Sequence, residues 1–426
     1  MAAANSTLGS PSSQALLGKR ILVIGVGREE YCERGRDQVR RARDLGVEVV
    51  LLGAEDAAAA SIAHSVIAVD PADYQSCRAA VQRYLARTPL DGIVTFLEER
   101  TEIVARLQRD FGCKGHSVFG SRACRDKNAM RAVLKENHLP VPRFAPLNTR
   151  REAEEIASWF PTPAFLKPVE GSGSVATRRV ANRDEIVSAF DDVAREIDEL
   201  VPPQFVECVL KSFSAAHANL LLEEYLAPAE RLERQGLGRV GIELLVQDGK
   251  ISFFAMADGR CFSPADHRYA TLSFPSRLEE SDERQFRSLA DDVVSVFGLS
   301  HGAVVLDAVM TDGGPQLYEI NARIDGSIIL PLVERCYGVD LVEQSLRIAV
   351  GLPLDLRAAE KPGASALLHL FLASTTSRIS SLEFPDVQSC DDCTAEFYKQ
   401  EGEIVLGREA PYDAIATVML AGSNRD

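Results

Sequence analysis

Cations are the scarcer charge in this 426-residue chain: 47 Lys and Arg stand against 62 Asp and Glu, a formal net charge of −15. Binding along nucleic acid draws its affinity from cations that neutralise phosphates, so that function class is excluded as a general role. Long apolar runs are missing as well. No stretch approaches the ~18 consecutive apolar residues of a membrane span, so no membrane partner is expected. Residues 1–18 lack the apolar segment of a secretory leader and read as a disordered tail. Cysteine is sparse, nine residues without a regular spacing. An odd count with no secretion signal points to reduced thiols in the cytoplasm. The lone CxxC, Cys390 and Cys393, has no second pair and reads as a loop ahead of a metal or redox site. The seven His residues form no HExxH, and His301 and His369, set in apolar runs, read as packing residues. No internal repeat is visible.

What is present is an ordinary globular composition, 46% hydrophobic and 26% charged, over a length that calls for two to four domains. "RILVIGVG", Arg20 to Gly27, is a buried strand running into a glycine turn. "VEVVLLG", "SVIAVD" and "DGIVTFLE" are further strands, with helical spacing in "RDQVRRARDLG" and "YQSCRAAVQRYLAR". Strands alternating with helices give a parallel α/β sheet whose ligand edge lies at the strand C-termini. Gly25 and Gly27 lack the third glycine of a dinucleotide fingerprint, since Glu30 stands there, so a tight turn is the better reading.

Ser121 to Pro142 reads as a helix stopped by Pro140 and Pro142. Beyond it the pattern changes to hairpins with helices, an α+β arrangement. "GIELLVQDGKISFFAMAD" turns at Asp248-Gly249, and "GAVVLDAVMTDGGPQLYEIN" is a second hairpin. Short strand-like pieces from about Gly363 onward form a small β-rich extension.

The second hairpin carries the chemistry. In "QLYEINARIDGS" Glu319, Asn321 and Arg323 alternate with Tyr318, Ile320, Ala322 and Ile324, the pattern of a half-buried strand. A three-residue loop centred on Gly313 sets Met310 against Gln316 and Asp307 against Glu319. Two opposed carboxylates repel, and Asp307 also interrupts an apolar run. A hard divalent cation removes both objections, and Asn321 adds a carbonyl oxygen on the same face. Mg2+ held by so few protein oxygens completes its shell with water and phosphate, so the site predicts a nucleoside triphosphate. A surface salt-bridge lattice of Asp307, Glu319 and Arg323 is the alternative.

"LKPVEGSGS" supplies a phosphate loop. Lys167 lies within an apolar strand, where a charge is costly unless paired. Gly171, Ser172, Gly173 and Ser174 let backbone N–H groups approach phosphate oxygens. "LLLEEYL" is an apolar strand ending in Glu223 and Glu224, suited to an adenine edge. Each of these patterns alone also fits a plain turn or strand end.

Taken in this order, these segments resemble the ATP-grasp superfamily, and within it carboxylate–amine ligases of the L-amino-acid ligase and carnosine-synthase type. The resemblance runs from Arg20 to about Ala421. "CRDKNAMRAVLKENHLPVP", "FLKPVEGSGS", "LLEEYL" and "LYEINARIDGS" carry it. It implies an N-terminal Rossmann-like domain (19–124), a central lid subdomain (125–226), a catalytic subdomain (227–362) and the β-rich extension (363–426). It implies that Lys127 and Lys167 contact ATP phosphates, that Glu223 meets the adenine amino group, and that Glu224 and Leu226 offer backbone contacts. Glu230 is a candidate ribose contact, rival to Glu243, which matches an acidic position near nucleotide or substrate. Asp307, Glu319 and Asn321 would bind one or two Mg2+ ions, or Mn2+ in their place. Arg323 would hold the substrate carboxylate or acyl phosphate, beside Gly326 and Ser327. His267 and Arg268 are candidate acceptor contacts, with a solvated loop as the alternative.

The implied reaction joins a small carboxylic acid to an amine at the expense of ATP, amino acids giving a dipeptide, in a cytoplasmic homodimer. Three departures from the family pattern stand out. Asp307 replaces the commoner Glu, Val175-Ala176-Thr177 follows the Gly/Ser loop, and "APAERLERQGLGRV" is long. A biotin-carboxylase-like enzyme and an ATP-binding module without catalysis are the rivals; the first would need a biotinyl carrier, and the chain has no "MKM" segment.

Overall fold

A computed structural model describes residues 13–25, 32–53, 61–171, 176–199, 219–263, 266–326, 329–356, 362–373, 375–382, 393–405 and 414–423. Gly27, Ser172, Gly173, Ser174, Ser327 and Cys390 lie outside the described residues. Strands β1 (Arg20–Ile24), β2 (Glu48–Gly53), β3 (Ser65–Ala68) and β4 (Gly92–Val94) form a parallel sheet in the order β3-β2-β1-β4. The unbroken apolar run in β1 follows from burial on both faces. Ile21 and Val23 enter one core and Leu22 and Ile24 another. Gly25 ends β1 with φ +74°, and a Cβ there would stand 3.0 Å from the Leu97 side chain. Only glycine suits that turn.

Ser121 to Pro142 departs from the single helix expected of it. Two helices, Val118–Arg125 and Lys127–Glu136, meet at Asp126. The Asp126 carboxylate accepts from the Ala129 N–H at 2.9 Å, the bond of an N-cap, which satisfies a helix-start donor and lets the chain change direction.

β5 (Phe144–Leu147), β6 (Ala164–Pro168), β7 (Arg178–Val180) and β8 (Leu220–Glu224) form an antiparallel sheet in the order β5-β8-β6-β7. Ala164, Leu166, Leu220 and Leu222 pack on helices Arg150–Ala157 and Glu185–Glu199. Side chains alternate along a strand, so Phe165, Lys167, Leu221 and Glu223 face the other way.

The largest sheet is antiparallel. It contains β9 (Arg239–Gln247), β10 (Lys250–Ser263), β11 (Asp266–Phe274), β12 (Gly302–Thr311), β13 (Gly314–Asn321) and β14 (Ala364–Leu372). β16 (Cys393–Phe397) and β18 (Ala414–Ser423) complete it in the order β13-β12-β9-β10-β11-β14-β18-β16. β15 (Ser377–Arg378) and β17 (Ile404–Val405) pair separately. Asp248 and Gly249 turn the β9–β10 hairpin with φ of 51° and 73°, the two positive values of a type I′ turn.

Val240, Ile242, Leu244, Val304, Leu306 and Ile320 cover one face of this sheet and pack against helices Glu280–Phe297 and Lys127–Glu136. On the opposite face Leu245, Ala255, Ala257 and Ala303 join the core under helices Leu330–Tyr337 and Leu341–Ala349. Among the described residues no helix is long and apolar enough to cross a membrane.

The β12–β13 register differs from a three-residue loop. Asp312 and Gly313 form a two-residue turn with Thr311 opposite Gly314, Met310 opposite Pro315 and Ala308 opposite Leu317. Tyr318 is then an extra residue, a β-bulge, beyond which Asp307 faces Glu319 and Val305 faces Asn321. The turn is one residue tighter than the spacing implied, and the bulge restores the offset.

Candidate active site

Asp307 and Glu319 stand opposite each other, with Asn321 two residues along the same face and Glu243 facing that side from β9. This acidic group sits where the apolar core gives way. Burial, then Glu319 and Asp325, push the Asp307 carboxyl well above the usual carboxylate range, with Arg323 opposing. Burial, then Asp325, push Glu243 up in the same way, and Arg323 again opposes. Gly241 lies opposite Asp307 on β9, and a Cβ there would be 3.9 Å from Asp307 Oδ1. That is an ordinary contact distance, so a methyl group would fit beside the carboxylate.

Two lysines face these acids from the other side. Lys127 opens helix Lys127–Glu136 and is buried. Its Nζ donates to the Gly171 carbonyl at 2.7 Å and lies 3.2 Å from Glu319 Oε1. It thereby ties the start of the Gly/Ser turn to the acidic strand. Lys167, on the inward face of β6, donates to Glu223 Oε1 at 3.3 Å. Burial lowers its pKa, with Arg131 and Lys127 adding to the effect and Glu223 opposing.

Glu223, given an adenine amino group by the resemblance, has both carboxylate oxygens engaged here. Oε1 accepts from Lys167, and Oε2 accepts from Arg131 Nε at 2.8 Å. Burial alone would raise its pKa, but the two cations hold it below the ordinary value. The neighbouring Glu224 carboxylate accepts from the Arg143 N–H at 2.9 Å. The Leu226 carbonyl accepts from Arg239 at 3.2 Å. Glu230 is exposed and pairs with Arg234.

Arg323 is held beside this group by a residue that sequence reasoning missed. Its Nη2 donates to Glu98 Oε2 at 3.0 Å and its Nη1 to the Ile324 carbonyl at 2.9 Å. Glu98 follows β4 and also pairs with Arg125. Burial would raise its pKa, yet Arg125, Arg323 and Lys127 bring it down to about 2. With its amide nitrogen turned to Glu98, 3.3 and 3.2 Å from the two oxygens, Asn321 leaves its carbonyl oxygen for another partner. The one signal for Glu98 was its place at the C-terminal edge of a parallel strand.

Arg131 was missed as well, being a cation on a helix face that otherwise reads as core. So was the hydrogen-bonded phenol pair Tyr269–Tyr318. Gly326 donates its N–H to Asp325. His267 and Arg268 lie on β11, and their side chains are outside the described residues.

The structure thus brings Lys127, Lys167, Gly171, Asp307, Glu319, Asn321, Arg323 and Glu243 near one another, and leaves Glu230 in solvent. Among the described residues no three His, Cys, Asp or Glu side chains converge as a closed metal site. Two carboxylates and one amide oxygen suit a hard cation that takes its other ligands from phosphate and water.

Comparison with known proteins bears on the family and the fold. A family model described as an ATP-grasp domain matches residues 124–327, and one described as an ATP-grasp N-terminal domain matches residues 39–113. The uncharacterized protein y4rH of Sinorhizobium fredii is 24% identical over 337 residues, 78% of this chain and 64% of that protein. Carnosine synthase 1 of Homo sapiens is 22% identical over 350 residues, 79% of this chain and 40% of the relative. The chain therefore spans less than two thirds of either relative. The crystal structure of L-amino acid ligase from Bacillus licheniformis superposes with a TM-score of 0.74 at 17% identity, covering 96% of this chain and 94% of that one.

Proposed function

As a chain that carries an ATP-grasp domain over residues 124–327, this protein is, we propose, an ATP-dependent carboxylate–amine ligase that works through an acyl phosphate. One observation carries the reading. Lys127 Nζ reaches both the Gly171 carbonyl, at 2.7 Å, and Glu319, at 3.2 Å. The start of a phosphate-type loop, a buried cation and an opposed carboxylate pair therefore lie side by side. An acidic patch with buried lysines facing it is what a polyphosphate and its counter-ion require. Against a surface lattice of Asp307, Glu319 and Arg323 stands that Arg323 donates to Glu98 and the Ile324 carbonyl, while Glu319 pairs with buried Lys127.

In this reading Asp307, Glu319 and Asn321 hold Mg2+, which when bound neutralises phosphate charge. Lys127 and Lys167 add positive charge along the triphosphate. A substrate carboxylate oxygen attacks the γ-phosphorus, the bond to the β-phosphate oxygen breaks, and ADP leaves. An amine nitrogen then attacks the acyl carbon, loses a proton, and expels phosphate. The protein supplies orientation and fixed charge rather than covalent chemistry. Arg323 keeps one N–H on Glu98 and another on Ile324 and presents its remaining N–H groups to the acid or its phosphate.

The acid and amine are taken to be amino acids, as the names of the carnosine synthase and L-amino acid ligase relatives suggest. A homodimer in the cytoplasm completes the proposal, and resemblance alone supports it. A phosphate-release screen with ATP, Mg2+ and paired amino acids, followed by mass analysis of the product, tests the function. ADP, phosphate and an amide of the two substrates are expected. Release of AMP, or phosphate release that depends on bicarbonate and biotin, would reject it.

A further inference from the structure

The opposed carboxylates face each other only because of the bulge at Tyr318. From the Asp312–Gly313 turn the ladder runs Thr311–Gly314, Met310–Pro315, Val309–Gln316 and Ala308–Leu317. Continued without interruption, it would set Asp307 against Tyr318 and Leu306 against Glu319. One residue of slip moves a side chain to the other face of a sheet. Leu306 lies fully enclosed in the apolar core against helix Glu280–Phe297, so the Glu319 carboxylate would be driven into hydrocarbon. The bulge avoids this, but a bulged residue lies outside the ladder and its carbonyl needs another partner.

That partner is Arg131. Its Nη2 donates to the Tyr318 carbonyl at 2.6 Å. The side chain is completely buried, and its Nε and Nη2 lie 2.8 and 2.7 Å from Glu223 Oε2. A guanidinium is planar and always charged, so its fork is held rigidly once Glu223 fixes one edge. Arg131 therefore reaches from helix Lys127–Glu136 to the backbone carbonyl of the bulged residue itself.

We propose that Arg131 is a positioning residue, which locks the Tyr318 bulge and so sets Glu319 opposite Asp307. It touches neither nucleotide nor substrate in this account and acts through the backbone of β13. The inference rests on the ligase reading only for the purpose of the carboxylate pair. The register itself is measurable without metal or nucleotide, so the two claims fail separately.

The experiment reads the register by cross-linking. In the full-length protein, Asp307→Cys and Glu319→Cys place two thiols on directly opposed positions, within reach of a disulfide. Mild oxidation without nucleotide or metal, followed by peptide mass analysis, gives the yield of the 307–319 cross-link. With Arg131 present the link forms in high yield. Adding Arg131→Met lowers the yield at least tenfold.

Deleting Tyr318 removes the extra residue. In the uninterrupted ladder position 307 then faces position 319 with no bulge to hold. Deletion in the Arg131→Met background therefore restores the cross-link to within twofold of the parent, an outcome that mere unfolding of the Met variant could not give. Glu223→Gln keeps a side-chain oxygen that accepts from Arg131 Nε, so Arg131 still reaches the Tyr318 carbonyl, and the yield stays within threefold of the parent. An undiminished yield in Arg131→Met overturns the proposal. So does failure of the Tyr318 deletion to rescue, or a loss in Glu223→Gln equal to that in Arg131→Met.

Discussion

Removing the carboxylate of Glu223 exposes how the lid sheet is held together. Glu223 is 3% exposed and bridges two cations, the fully enclosed Arg131 at 2.7 Å and Lys167 at 3.3 Å. Glu223→Ala leaves both positive charges buried without their acid. Removing one partner of a buried pair costs about 3–5 kcal/mol. At roughly 2–4 °C per kcal/mol for a unit of 150–250 residues, melting of the ATP-grasp domain falls by roughly 6 to 20 °C.

Lys167→Met makes the opposite cut. Glu223 keeps Arg131, the lost hydrogen bond is worth about 1.5 kcal/mol, and an ammonium that burial already disfavours is gone. The fall in melting temperature stays below about 6 °C, while the KM for ATP rises if Lys167 meets phosphate. Scanning calorimetry of the nucleotide-free variants reads both numbers. Glu223→Ala melting with the wild type, or Lys167→Met proving the more damaging, would refute the buried bridge.

Two more outcomes follow from the same geometry. Glu319→Ala lowers turnover at least about 100-fold with an unchanged circular dichroism spectrum, because it removes a charge that matters mainly while phosphate is transferred; amide formation at the wild-type rate would reject the metal role. Glu98 has a folded pKa of about 2, against about 4.3 unfolded. The unfolded chain therefore binds more protons between these values. Stability is fully present above pH ~4.3 and is lost as pH falls toward ~2, by about 3 kcal/mol at most. Glu98→Gln flattens this part of the melting-temperature profile, and an unaltered slope would show that Glu98 is not so paired.

The parts legible in the sequence were those fixed by local pattern. The apolar run of β1 announced burial on both faces, and Asp248-Gly249 announced a two-residue hairpin. The alternation through Glu319, Asn321 and Arg323 placed three polar groups on one side of a strand. What stayed hidden depends on distant partners. Asp126 fell inside a stretch read as one helix, although its carboxylate caps a second helix. The Tyr318 bulge could not be read because nothing in "PQLYEIN" marks where a ladder slips; the slip is stabilised by Arg131, 187 positions earlier. Arg131 itself was illegible, since a cation on an amphipathic helix is usually solvated, and its partners, Glu223 on β8 and the Tyr318 carbonyl on β13, lie far off in sequence. Glu98 stood at the expected ligand edge, but its three cations, Arg125, Lys127 and Arg323, come from three other segments of the fold.

The central claim is that phosphate is transferred to a substrate carboxylate before the amine reacts. The most direct measurement is a single-turnover reaction with substrate acid labelled with oxygen-18 in both carboxylate oxygens, with mass analysis of the released phosphate. One labelled oxygen in inorganic phosphate, one retained in the amide, and ADP as the nucleotide product are expected. Unlabelled phosphate, or label recovered in AMP, would contradict it.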